Sequence, residues 1–130
     1  MKPVTVTIPV QTTTESNAKG HWRPKAERAK KQRWLARTLV GPLAYRLRAG
    51  LRARTLAGVV VTFTRLAPRE LDDDNLASAM KHVRDGVADA LEIDDRDPRV
   101  RWVCAQVPAG TVKEYGVRIV LQTSAKELAK

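Results

Sequence analysis

Apolar and polar residues alternate along the first stretch of the chain, Val4 to Val10, with a period of two. This alternation predicts a half-buried β-strand. Later stretches with the β-branched and apolar content of strands cover residues 59–64, 100–107 and 115–122. The first of these, Val-Val-Val-Thr-Phe-Thr, is almost entirely β-branched, so we expect it to form the central strand of a sheet.

Helical periodicity appears in two other parts of the chain. Pro24 suits the first turn of a helix that should continue to about Val40, where Gly41-Pro42 stops it. Residues 43–54 are basic and weakly helical. A second amphipathic helix is predicted further on, where apolar residues recur at three- and four-residue steps: Leu76, Met80, Val83, Val87 and Leu91.

The order strand, helix, strand, helix, strand, strand predicts an α+β fold, with two main helices against a single mixed or antiparallel sheet of about four strands. Residues 99–122 should form a C-terminal antiparallel hairpin, because Pro108-Ala109-Gly110 lies between its two strands. A chain of 130 residues fits one domain, spanning 1–130, with a basic loop and helix at 11–40.

Charge divides the chain unevenly. Ten of the 14 acidic residues, but three of the 24 basic residues, lie in the acidic segment 70–97. The net charge of +10 favours a polyanionic partner such as nucleic acid. No apolar run approaches the ~20 residues that span a bilayer, so we expect a cytoplasmic protein without a membrane partner.

The acidic segment follows the predicted central strand and contains a set of chemically active side chains: Asp72, Asp73, Asp74, Asn75, Lys81, Asp85, Asp94 and Asp95. Alternation at the strand end projects Asp72 and Asp74 to the same side. Lys81 shares a helical stripe with Asp74, opposite the apolar face. Oxygen ligands without His or Cys favour Mg²⁺ or Mn²⁺ over zinc.

This set suits phosphodiester hydrolysis if the loop after the second helix brings Asp94 and Asp95 back toward the strand ends. A bound metal ion would activate a water, and Lys81 would supply a fixed positive charge to the phosphate or its leaving oxygen.

The segment resembles the RusA family of Holliday-junction resolvases, many of them from phages and prophages. The resemblance rests on Asp-x-Asp-Asn at 72–75, Lys-x-x-x-Asp at 81–85 and Asp-Asp at 94–95, and on the order of elements between Val4 and Gln122. In the family pattern the lysine follows the asparagine by three residues, whereas here the separation is six.

The resemblance implies catalytic metal ligands at Asp72, Asp74 and Asp95, and a catalytic lysine at Lys81. It places supporting residues at Asn75, Asp85 and Asp94. It further implies a Mg²⁺-dependent homodimer that binds a four-way DNA junction and nicks two strands symmetrically.

Simpler interpretations remain open for the same residues. Asp72 to Asn75 could form only a helix N-cap, and Asp73 could be the cap within an active site. Lys81 and Asp85 could be an i,i+4 surface pair. The chain would then be a non-catalytic DNA- or RNA-binding protein, or a basic structural protein associated with RNA.

Basic and aromatic residues are interleaved between Lys19 and Arg37, where eight Lys and Arg residues accompany a single acid, Glu27. Basic side chains contact phosphates, and tryptophan can stack on an unpaired base. We therefore expect a DNA-binding surface that consists of Lys19, His21, Trp22, Arg23, Lys25, Arg28, Lys30 and Lys31.

Several remaining residues are predicted to be structural. Trp34 is expected in the core, and Trp102, which alternates with Val100 and Cys104, on the packed side of the sheet. Cys104 is the only cysteine, so the chain forms no internal disulfide, and its thiol should be buried and inert.

Overall fold

The structure is a computed structural model that describes residues 2–12 and 22–124. Its elements confirm an α+β fold with one mixed sheet. In chain order they are β1 (Val4–Ile8), α1 (Trp22–Val40), a 3₁₀ turn (Gly41–Ala44), α2 (Tyr45–Arg52), β2 (Val59–Leu66), α3 (Asp73–Ala79), α4 (Lys81–Leu91), β3 (Val100–Gln106) and β4 (Gly116–Thr123).

The strands are arranged in the order β1-β4-β2-β3. β2 is central, as predicted, and lies antiparallel to β4 and parallel to β3. In this register Val61 lies opposite Leu121 on one side and Trp102 on the other. The helices α3 and α4 connect the parallel pair, which is the usual way in which a parallel strand is reached.

The predicted hairpin at 99–122 is wrong. β3 and β4 are consecutive in the chain, but they do not pair with each other because β2 lies between them. The connection over residues 107–115 is longer than the two to five residues that are usual for a hairpin loop, so it can cross the end of β2. This arrangement gives the most β-branched strand a neighbour on both sides.

One face of the sheet packs against the helices and forms a hydrophobic core. Phe63 of β2 and Ile119 of β4 are fully buried on this face. All five apolar residues that predicted the second amphipathic helix are buried too: Leu76, Met80, Val83, Val87 and Leu91. Within the described ranges, no helix is long and apolar enough to cross a membrane.

The second predicted helix is divided at Met80 into α3 and α4. Met80 has a backbone ψ of −3°, and its N–H is shared between the carbonyls of Leu76 and Ala77, both at 3.3 Å. An α-helix has a ψ near −42°, so the regular helix is interrupted here. This interruption falls between Asn75 and Lys81, so the two side chains lie on separate helices or at their ends.

Two predictions about single residues are wrong. Trp34 is 53% exposed, because it lies two helical positions from the buried Ala36 and therefore on the opposite side of α1. Cys104 is exposed because β3 is an edge strand, although partial desolvation still raises the pKa of its thiol. Trp102 lies on the packed side as predicted, and its ring stacks on Phe63 at a centroid distance of 5.8 Å.

Helices α1 and α4 cross closely at Gly86. A Cβ atom at this position would lie 2.3 Å from the Arg33 carbonyl oxygen and 2.7 Å from the Ala36 Cβ. Beside the crossing, the Arg33 guanidinium donates two hydrogen bonds to the Asp89 carboxylate, at 2.7 and 2.9 Å. These bonds hold the pKa of Asp89 below its ordinary value.

Gly86→Ala should lower the free energy of unfolding by about 1–3 kcal/mol, because the added methyl group forces the two helices apart. Alanine is a better helix former than glycine, so helix propensity alone would make Gly86→Ala more stable. A loss of stability would therefore come from the clash where α1 and α4 cross. Gly41→Ala is the control, since a Cβ at Gly41 meets nothing within 4 Å. Urea denaturation measures the stability of both variants. If Gly86→Ala were as stable as Gly41→Ala, the close packing at Gly86 would be contradicted.

Candidate active site

The chain between β2 and α3 is held in place by three side chains. The Arg65 Nη1 donates to the Arg69 carbonyl at 2.7 Å. The Gln106 amide forms two hydrogen bonds with the backbone of Leu71, at 3.0 and 2.6 Å. The Glu70 carboxylate accepts from the backbone N–H of Ala109 at 2.9 Å. The acidic motif therefore begins from a fixed point at the carboxyl end of β2.

Asp72 is the N-cap of α3. Its Oδ1 accepts from the backbone N–H of Asn75 at 2.8 Å, and its Oδ2 accepts from the Asn75 side-chain amide at 3.0 Å. The prediction that Asp73 is the cap is therefore wrong. Because each carboxylate oxygen offers about two lone pairs, Asp72 keeps acceptor capacity beyond the cap.

Asp73 and Asp74 occupy the first turn of α3 and are both exposed. Neither side chain makes a hydrogen bond or an ion pair within the described part of the chain. The positive end of the helix dipole stabilises carboxylates at this position. Asp74 is thus an exposed carboxyl group that is open to a ligand and two residues from the anchored Asp72.

Lys81 is the first residue of α4 and is exposed. No ion pair joins it to Asp85 among the described residues, so the i,i+4 surface pair is not formed. Asp85 is half-buried and lies near Arg33, whose pKa it helps to raise. Lys81 therefore presents a free ammonium group about 10 Å further along the helical path than Asp74.

The second acidic pair lies in the loop that follows α4. The helix α4 ends at Leu91 and is followed by Glu92, its C-cap, which has a left-handed φ of 56°; the Ile93 N–H donates to the Ala88 carbonyl at 3.1 Å. Asp94 accepts from the backbone N–H of Arg96 at 2.8 Å, and this bond is the main reason that the pKa of Asp94 is lowered. Asp94 is thus committed to stabilising its own turn.

Asp95 points toward a different partner, Arg84 of α4. The two side chains approach to 3.5 Å, and each is a little over a third exposed, at 36% and 37%. An ion pair with this exposure contributes about 0–1 kcal/mol. The Asp95 carbonyl is held more firmly, because it accepts from the Trp102 indole N–H at 2.9 Å.

The three predicted metal ligands are not gathered together. In residues 2–12 and 22–124, no three His, Cys, Asp or Glu side chains form a group that could hold a metal ion. The backbone before Asp72 is fixed to Gln106, whereas that of Asp95 is fixed to Trp102, four residues earlier on the same strand. At about 3.3 Å per residue, these two attachment points on β3 are about 13 Å apart.

The predicted DNA-binding surface is described only in part. Lys19 and His21 lie outside the described residues, and Trp22 and Arg23 are described only as the start of α1. The remaining members lie on α1, where Lys25 and Arg28 are half-buried and Lys30 and Lys31 are exposed.

Arg65 is a residue of this region that the sequence reasoning missed. It is 5% exposed, and besides Arg69 it donates to the carbonyl and hydroxyl oxygens of Thr12, at 3.2–3.3 Å. Burial lowers the pKa of its guanidinium, which still remains charged. The signal was present, since Arg65 continues the inward alternation of Val61 and Phe63. Arg65 joins the start of the basic loop to the start of the acidic motif.

The sequence matches no protein-family model and no curated protein. The function proposed below therefore rests on the resemblance of the residues 72–75, 81–85 and 94–95 to the RusA family, and on where the fold places those side chains.

Proposed function

We propose that this protein is a Mg²⁺-dependent, structure-specific endodeoxyribonuclease that resolves Holliday junctions by paired, symmetric phosphodiester hydrolysis. Paired nicks need two active sites, and a two-fold homodimer supplies them, so we expect the active form to be a homodimer. We expect it to act on branched DNA in the cytoplasm of a bacterial or phage-infected cell.

The observation that carries the proposal is the placement of Asp74. An exposed carboxylate without a partner among the described residues lies beside an anchored carboxylate, Asp72, at the carboxyl end of the central strand. The chain as a whole is strongly basic, with a net charge of +10, although the segment 70–97 that contains this site is acidic. Negative groups in a protein that attracts phosphate are unfavourable for binding alone, but they are useful if they hold a cation at the phosphate.

The side chains at this edge fit a magnesium ion. Mg²⁺ in phosphoryl-transfer sites is typically held by one or two carboxylates, and water and substrate phosphates complete the shell. Asp72 and Asp74 would supply these carboxylates, and Mn²⁺ could replace Mg²⁺. When bound, the ion lowers the pKa of a water and offsets charge that develops on the scissile phosphate.

Asp95 is proposed as the third ligand. Its side chain would first have to break the ion pair with Arg84. This costs little free energy, because the pair is partly exposed and therefore weak. Because the Asp95 backbone is held by Trp102, we expect the residue to reach Asp72 and Asp74 only through a shift of the loop after α4. Asn75 would orient Asp72, and Asp94 would keep the loop folded, which agrees with supporting roles.

Lys81 would act on the substrate. An exposed ammonium at the start of α4 can place a positive charge next to the phosphate or its leaving oxygen. Asp85, half-buried on the same helix, would support this face of α4. Lys25, Arg28, Lys30 and Lys31 of α1, together with the preceding basic loop, would contact the backbone of the DNA arms.

A second function, binding of nucleic acid without catalysis, is favoured by one observation. Both carboxylate oxygens of Asp72 are engaged by Asn75, which is the geometry of an ordinary helix N-cap. In this alternative the acidic motif stabilises α3, and the basic residues provide the whole activity.

The two functions are separated by incubating the purified protein with a labelled four-way junction. The nuclease proposal predicts paired nicks with Mg²⁺ and a complete loss of cleavage in EDTA, whereas junction binding persists in both conditions. A linear DNA duplex of the same length tests whether the branched structure is required. A single-stranded RNA of the same length tests whether the protein prefers ribose to deoxyribose. Binding without cleavage in Mg²⁺ or Mn²⁺, or a preference for RNA over the junction, would reject the nuclease proposal.

A further inference from the structure

Trp34 is placed on the outer side of α1. It is 53% exposed, whereas Ala36, two residues later, is fully buried. At 100° per residue, Trp34 lies about 160° around the helix from Ala36, so it points almost directly away from the core. Its exposure therefore follows from its helical position, and its surroundings decide what it can bind.

The nearest neighbours of Trp34 on this side of the helix are Lys30, Lys31, Arg37 and Thr38, at i−4, i−3, i+3 and i+4. All four are exposed, and we name them with Trp34 the Trp34 face. The only acidic residue of α1, Glu27, is two turns away. An indole thus lies among three cations, and Glu27, although one turn from Lys30 and Lys31, forms no ion pair with either of them in the described part of the chain.

The cations of this face are free to bind a ligand. In the described part of the chain, Lys30, Lys31 and Arg37 make no ion pair within 4 Å, and Arg37 interacts with a carboxylate only at longer range, where it helps to lower the pKa of Asp89. Arg33, on the adjacent side of the same helix, is instead occupied by two hydrogen bonds to Asp89. The helix therefore separates a structural arginine, which joins α1 to α4, from cations that face solvent.

Among the residues that the structure describes, no larger apolar surface includes the Trp34 face. Leu39 is also exposed, at 37%, but five residues separate it from Trp34, which places it about 140° away around the helix. The other large exposed apolar side chains nearby, Leu43 and Tyr45, lie beyond the end of α1. A protein partner would need a broad apolar contact, whereas this face offers one aromatic ring in a positive field.

We propose that the Trp34 face binds an unpaired segment of nucleic acid, with a base stacked on the Trp34 indole and phosphates on Lys30, Lys31 and Arg37. Lys30 and Arg37 are seven residues apart, about 10 Å along the helix axis, and Trp34 lies between them. Aromatic stacking combined with backbone charge is the general way in which proteins bind single strands. Bases within a duplex are already stacked on each other, so the face selects unpaired nucleotides.

This inference goes beyond the proposed nuclease, because it concerns binding and requires no metal ion. A branch point is one source of unpaired nucleotides, and a free single strand of DNA or RNA is another. All binding experiments are therefore done in EDTA, with oligo(dT), oligo(rU), a duplex and a four-way junction as probes.

Intrinsic fluorescence tests the stacking directly. The variant Trp22→Phe/Trp102→Phe leaves Trp34 as the only one of three tryptophans. Titration with oligo(dT) of about 15 nucleotides should quench its emission, because a stacked base quenches an indole, and the duplex should quench it less. If this variant does not fold, Trp34→Phe alone serves, and it should remove most of the quenching seen in the natural sequence. Binding by anisotropy with unchanged Trp34 emission would overturn the proposal.

Affinity provides the second test. Trp34→Ala should weaken binding of oligo(dT) and oligo(rU) about tenfold or more, and duplex binding less than about twofold. Trp34→Phe should stay within about threefold of the natural protein, because it keeps an aromatic face. Leu39→Ala, on another side of the same helix, is the matched control and should bind normally. Equal losses for Trp34→Ala and Leu39→Ala would overturn the proposal.

The same variants also test two other ligands for the Trp34 face, a second copy of the chain and an anionic membrane surface. If a second copy of the chain covers Trp34, Trp34→Ala will dissociate an oligomer in sedimentation velocity without altering binding of oligo(dT), which overturns the proposal. Tighter binding to anionic vesicles than to oligo(dT), lost in Trp34→Ala, would also overturn it. Quenching by oligo(dT) in a protein that never cleaves a junction would reject the nuclease and retain the Trp34 face.

Discussion

Asp74→Asn is expected to lower the rate of junction cleavage in Mg²⁺ by about 100-fold or more, and to leave junction affinity unchanged or slightly higher. Asparagine has nearly the same shape as aspartate, but it lacks the charge that holds a cation at the phosphate. Because Asp74 makes no hydrogen bond among the described residues, the substitution breaks no contact of the fold. Single-turnover cleavage of a labelled four-way junction, together with a binding titration in EDTA, measures both quantities.

Asp73→Asn is the matched control for this prediction. Asp73 lies in the same first turn of α3, is equally exposed, and loses the same single charge when it is substituted. Any general effect of charge on DNA binding is therefore shared by the two variants. Cleavage by Asp74→Asn at the rate of Asp73→Asn would contradict a role for Asp74 as a ligand.

Phe63→Ala is expected to lower the free energy of unfolding by about 3–5 kcal/mol, the usual range for a buried phenylalanine. Phe63 is fully buried in the central strand, and its ring is stacked on that of Trp102 with an angle of 7° between the planes. The substitution leaves a cavity and removes the support of Trp102, whose indole N–H holds Asp95. A loss of this size is a large part of the stability of a small domain.

Thr62→Ala is the control for position in the same strand. Thr62 points to the opposite, half-exposed face of the sheet, so its substitution should cost less than about 1 kcal/mol. Urea denaturation compares the two variants at constant pH. A loss at Phe63 no larger than that at Thr62 would show that the core does not lie on this face.

The sequence predicted local structure well where periodicity was strong. The strand predicted at 59–64 corresponds to β2, in which buried and half-buried residues alternate along the whole strand. The five apolar residues of the second helix are all buried, although that helix is divided at Met80. Periodicity reports which side of an element faces the core, and an interruption that keeps the same side buried leaves the pattern unchanged.

Predictions that depended on which distant parts of the chain pack together were less successful. Residues 100–107 and 115–122 were expected to pair, but each lies beside β2. Trp34 was assigned to the core from its residue type, whereas its position relative to Ala36 places it in solvent. The choice of partner depends on contacts between distant parts of the chain, about which a local pattern says little.

The candidate site divides in the same way. The sequence by itself determined that Asp72 and Asp74 follow the central strand and begin a helix, because caps and apolar steps are local features. Only the tertiary structure decided that Asp95 lies beside Arg84, and that Arg65 holds the start of the motif. Caps and apolar faces depend on residues two to four positions apart, so the sequence shows them. The contacts of Asp95 and Arg65 depend on how the folded chain brings distant residues together.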